Sequence, residues 1–213
     1  MGCRVQFVLV LFKKIFATTL ATVASFGCAS TQAEMMTGHD IAFVGKVRSL
    51  DNIVKLEVEE KSWKCPKCTP QEQYVLEQLQ DKTNIRDRNA LAAILGNIKS
   101  ESGFKAKICE GGARIKYRQC TSGGFGLIQW TSAGRYYGLG KFCKKYDCDP
   151  NTLEGQVRYM INEPQFQKVL PEFEGTGQPI HQYMVGAYYW LGWGIKGNRE
   201  HYAYQYAGKL VWS

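Results

Sequence analysis

Glu101 is the carboxylate in this chain best placed to act as an acid. Leu91, Ile94, Leu95 and Ile98 precede it at helical spacing, which predicts a helix over Asn84–Ser100 with one buried face. Glu101 follows Ile98 by three positions, at the end of that apolar stripe, and Ser102-Gly103 stops the helix. Burial and the negative end of a helix both disfavour a carboxylate, and together they make a glutamate a general acid near neutral pH. The ordinary alternative for such a position is a solvated surface residue. The glycines and aromatics further along the chain favour the acid. Gly123, Gly124 and Gly126 permit a tight turn and a close backbone approach to a ligand. Gln129 and Trp130 then offer an amide and an aromatic platform, a pairing suited to hydroxyl-rich and N-acetylated sugar rings.

Taken together, Asn97-x-x-x-Glu101-Ser102-Gly103-Phe104 and Gly124-Phe125-Gly126-Leu127-Ile128-Gln129-Trp130-Thr131 resemble the phage tail lysozyme family. That family belongs to the lysozyme-like superfamily, beside goose-type lysozymes and lytic transglycosylases. Leu153-Glu154-x-Gln156-Val157-x-Tyr159-Met160 is similar to the family's later core helix. Ala187-Tyr188-x-x-x-Gly192 is similar to the Ala-Tyr-Asn-Ala-Gly stretch of the transglycosylases, although its Asn-Ala is absent here. The resemblance extends from Thr69 to Ser213.

The resemblance implies a mainly α (α+β) fold, a lysozyme-like helical domain with a small N-terminal β element. The implied activity is cleavage of β-1,4 glycosidic bonds in peptidoglycan, with Glu101 as general acid. Ser102, Gly126, Gln129, Trp130 and Tyr188 are the expected substrate-binding residues. A hydrolase also needs help for water on the opposite ring face, usually from a second carboxylate. Glu110, between the two motifs, is the best-placed candidate; Asp147 and Asp149 are weaker. A transglycosylase needs no second carboxylate, because the substrate's own C6 hydroxyl closes an anhydro ring and Glu101 serves as acid and then base. Hydrolysis and anhydro-ring closure both stay open, as does a catalytically silent wall-binding or structural tail protein. No metal and no organic cofactor is implied.

The 213 residues allow one ordinary domain with a leader or small appendage. Apolar content of 45% argues for a real core. The net charge of +8 suits a polyanionic partner such as a bacterial wall. Without a nucleic-acid motif or a dense Lys/Arg block, nucleic acid is not expected.

Residues 1–33 read as a signal peptide or membrane anchor. Arg4, Lys13 and Lys14 precede an uncharged apolar run from Ile15 to Gly27, long enough for a signal core and too short to span a bilayer. Cleavage after Ala29 or Ala33, a lipid-modified Cys28 and an uncleaved tether to the inner membrane are the alternatives. The leader favours export to the cell envelope or periplasm, whereas the domain resemblance favours a place in a phage tail, as part of a virion.

Beyond the leader, six cysteines remain. Proximity makes Cys109–Cys120 and Cys143–Cys148 the simplest bridges, worth about 2–3 kcal/mol each by loop closure. Cys65 and Cys68 form a Cys-x-x-Cys pair with no second pair or His-x-x-x-His to complete a zinc site, so a local disulfide is expected there too. Residues 34–69 read as a short spacer with two β-segments, at 41–45 and 53–59. Residues 70–213 read as the catalytic domain. Thr69-Pro70 opens a helix, Asn151-Thr152 opens another that ends before Pro164, and His181–Leu191 begins a third. Thr131–Tyr146 ends helical. Lys105–Gly123 reads as a loop or hairpin over the cleft. Tyr188, Tyr189, Trp190 and Trp193 read more readily as core than as sugar platform.

Overall fold

Thr69 and Pro70 open the first helix as predicted. The Thr69 hydroxyl accepts from the Glu72 amide, and the Glu72 carboxylate accepts from the Thr69 amide. That reciprocal cap fixes the start of α1, Pro70–Lys82. The computed structural model describes residues 61–213, which lie in one compact unit. The expected leader, with Cys3 and Cys28, and the β-segments at 41–45 and 53–59 fall outside the described residues.

The helix that carries Glu101 is α2, Arg88–Ser102. It begins later than Asn84 because the Asp87 carboxylate accepts from the Asn89 and Ala90 amides and caps it there. It ends where Gly103 turns left-handed at φ 59°, which puts Glu101 inside the last turn. The expectation of one buried face is corrected as well. Every residue from Ala90 to Ile98 is buried, so α2 is the central strut of the domain. A helix that is apolar all round must be enclosed, and α2 packs against α1, α5 (Pro164–Glu174), α6 (Ile180–Leu191) and α7 (Arg199–Ala207).

Two more helices, α3 (Ala133–Tyr146) and α4 (Leu153–Asn162), close the other side. Thr152 caps α4 through the Gly155 amide. Pro164 follows the end of α4 and opens α5 at once, standing at its first position, where a missing N–H has no cost. Neither α5 nor α7 is predicted by the sequence patterns. The small β element joins β1 (Trp63–Lys64) antiparallel to β2 (Val211–Trp212), with Trp63 opposite Trp212. It therefore clips the two ends of the described residues together.

Three disulfides, Cys65–Cys68, Cys109–Cys120 and Cys143–Cys148, have the pairing that proximity suggests. At the centre of the core Glu163 is fully buried. It accepts the indole N–H of Trp130 and of Trp190 and two bonds from Arg135. A buried charge is tolerable only when paired and hydrogen-bonded in this way.

Candidate active site

Glu101 emerges from the buried run of α2 with its side chain 13% exposed. Its partner is Arg199, at the first position of α7, whose Nη2 donates to Glu101 Oε1 at 2.6 Å. The Arg199 side chain is 12% exposed. Sequence reasoning provides for burial and a helix end around this glutamate but not for an ion pair. What brings the two together is Gly96. A Cβ at that position would stand 2.7 Å from Ala203 Cα and 2.8 Å from the Arg199 carbonyl oxygen. Only glycine lets α7 approach α2 this closely.

Trp193, in the loop between α6 and α7, completes the cluster. Its ring lies 5.4 Å beneath the Arg199 guanidinium. Its indole N–H donates to Asn97 Oδ1 at 3.1 Å. Asn97 is fully buried one turn before Glu101 and donates to the Ala93 carbonyl. The motif asparagine thus ties the loop to the helix that carries Glu101.

Next to this cluster is a shallow pocket of about 270 Å³, lined by His181, Met184, Val185, Tyr188, Tyr189, Trp193 and Lys196. Tyr188 is 46% exposed and meets Trp193 edge-to-face with centroids 5.0 Å apart. Tyr189 is more exposed still, while Trp190 is buried in the core. The reading of these aromatics as core holds for Trp190 and fails for Tyr188 and Tyr189, while Trp193 is half-buried at the edge of the pocket. A larger cavity, about 490 Å³, is lined by Lys99, Lys105, Lys107 and Arg114 among others, and Glu101 lines neither of the two.

The second motif is joined to the first by Ser102, whose buried hydroxyl donates to the Leu127 carbonyl at 2.7 Å. Its hydroxyl faces that carbonyl and not open space. Gly126 is left-handed at φ 74°, but the group that approaches it is a side chain of the protein. A Cβ there would meet Gln156 Oε1 at 2.5 Å. Gln156 accepts from the Leu127 amide and donates to the Ala106 and Pro150 carbonyls, so it holds the turn in shape. The Gln129 amide donates to the Gly126 carbonyl at 2.9 Å and is engaged in the same turn.

Trp130 does not serve as an open platform. It is fully buried, and its indole N–H is taken by Glu163. Glu110 is exposed, and its carboxylate accepts from the Gly124 amide at 2.9 Å. It sits in one of two short 3-10 turns, Glu110–Gly112 and Tyr117–Gln119, within the segment read as a loop or hairpin. The Cys109–Cys120 bridge spans that segment. The arrangement therefore brings Glu101, Tyr188, Trp193 and Arg199 to one end of α2, and engages Ser102, Gly126, Gln129 and Trp130 in building the turn beside it. Of these, sequence reasoning misses Arg199. Gly96, in an otherwise apolar helix, is the available signal of a close backbone neighbour.

Among the described residues no group of His, Cys, Asp and Glu is arranged to hold a metal ion, and no helix is long and apolar enough to cross a membrane. A family model described as phage tail lysozyme matches residues 71–210. Comparison with curated proteins finds no match.

Proposed function

From the premise that the chain belongs to the phage tail lysozyme family, we propose that it degrades peptidoglycan by cleaving β-1,4 glycosidic bonds of the glycan strand, with Glu101 as general acid. The observation that carries this reading is a largely buried carboxylate at the end of the central helix, beside a pocket faced by Tyr188 and Trp193. A sugar ring stacked on those aromatics would lie at the Glu101 end of the helix. Glu101 passes its proton to the glycosidic oxygen, the C1–O bonding pair follows to that oxygen, and an oxocarbenium-like centre is left on the sugar.

Two nucleophiles could complete the reaction. Water gives a reducing end, the lysozyme outcome. The C6 hydroxyl of the same sugar gives a 1,6-anhydro end, with Glu101 taking up the hydroxyl proton. One observation favours the second route. Glu110, the candidate second carboxylate, is turned onto the Gly124 amide. Mass analysis of the fragments released by the purified protein distinguishes the two, since an anhydro end is lighter by one water.

The three disulfides fit an oxidising compartment. We place the protein in the cell envelope, exported through residues 1–33, or alternatively in the tail of a virion. Its partner in either setting is the glycan strand.

A further inference from the structure

Among the described residues, Arg199 is the cation in hydrogen-bond contact with Glu101, and it is held from several sides. Nη1 donates to the Ile195 carbonyl at 2.8 Å and the Lys196 carbonyl at 3.0 Å. The Trp193 ring lies beneath the guanidinium. The pair also differs from a surface salt bridge in that both side chains are almost wholly enclosed, where a cation acts through a low local dielectric. Its two residues lie 98 positions apart in the chain and meet because Gly96 admits the α7 backbone.

We propose that Arg199 is a positioning residue for the reaction assigned above to Glu101. It fixes the carboxyl in one rotamer and stabilises the negative charge that grows there as the proton leaves. The proposal rests on that assignment. As the proton moves to the glycosidic oxygen and the C1–O pair departs with it, the neutral carboxyl becomes a carboxylate facing a preorganised cation. Arg199 therefore speeds each proton delivery. Two neighbouring lysines have carboxylates of their own, Lys196 with Glu200 and Lys99 with Glu72. His181 lines the neighbouring pocket.

The test compares full-length Arg199→Met and Arg199→Lys with the wild type, as kcat and KM for peptidoglycan solubilisation and as the folded fraction. For Arg199→Met we expect kcat to fall about 10- to 100-fold, the scale of a misplaced catalytic group, with KM little changed. Arg199→Lys should recover part of kcat. An unchanged kcat in Arg199→Met would overturn the proposal. So would a loss that tracks the folded fraction, or one that lysine does not recover.

Digestion by Glu101→Gln would instead defeat the assignment of Glu101 itself, so the two failures are distinguishable.

Discussion

Arg199 Nη2 lies 2.6 Å from Glu101 Oε1, and the contact exists because α7 rides directly on the glycine of α2. Gly96 is therefore part of the site's geometry although it touches no ligand. Alanine at position 96 would gain up to about 1 kcal/mol of helix propensity. Its methyl group, however, would stand within 2.8 Å of the α7 backbone, and overpacking of that kind costs about 1–3 kcal/mol. The clash wins. Gly96→Ala should lower the midpoint of urea unfolding and reduce activity by displacing Arg199, whereas Gly134→Ala, with open space around it, should do neither.

Glu163 holds Trp130, Trp190 and Arg135 together from a fully buried position. Replacing it with alanine leaves a cation and two indole donors without their acceptor. Loss of one partner from a buried pair costs about 3–5 kcal/mol, and equilibrium unfolding should show a loss of that size for Glu163→Ala.

Glu72 supplies a pH dependence. Burial raises the pKa of its carboxyl, but bonds from the Tyr206 hydroxyl, the Thr69 amide and Lys99 outweigh this and hold it below the usual carboxylate value. A group whose folded pKa is depressed contributes stability above its unfolded pKa, and that contribution is lost as pH falls through the folded one. Thermal unfolding should show the wild type losing stability below the ordinary range of glutamate. Glu72→Gln should be less stable at neutral pH and show a shallower fall.

The sequence makes much of this legible and leaves other parts dark, for identifiable reasons. The Thr69 cap, the end of α2 at Gly103 and the three local disulfides follow from short-range chemistry, and they stand in the structure. Trp130 reads as a platform because an aromatic after a glycine turn looks the same from sequence whether buried or exposed. Its burial depends on Glu163, 33 positions away. Helix α7 carries a weak pattern, with only Ala203 and Tyr206 buried, and so it leaves no periodic signal. Arg199 is hidden with it.

Tyr188 and Trp130 test that distinction directly. Tyr188 is exposed beside the pocket, so Tyr188→Ala should weaken wall binding with little change in unfolding; each 1.4 kcal/mol of lost contact is about a tenfold rise in Kd. Trp130→Phe removes a buried donor to Glu163 and should lower stability by about 1–3 kcal/mol. Pelleting with purified peptidoglycan measures the first effect, and urea unfolding measures the second.

The most direct test of Glu101 as the acid is digestion of purified peptidoglycan by the wild type and by Glu101→Gln, with circular dichroism showing both to be folded. We expect soluble muropeptides from the wild type and a fall of several orders of magnitude in the variant. Equal release by both proteins would contradict the role of Glu101. Release by neither, with both pelleting with the wall, would make the protein a binding module and contradict the proposed enzyme.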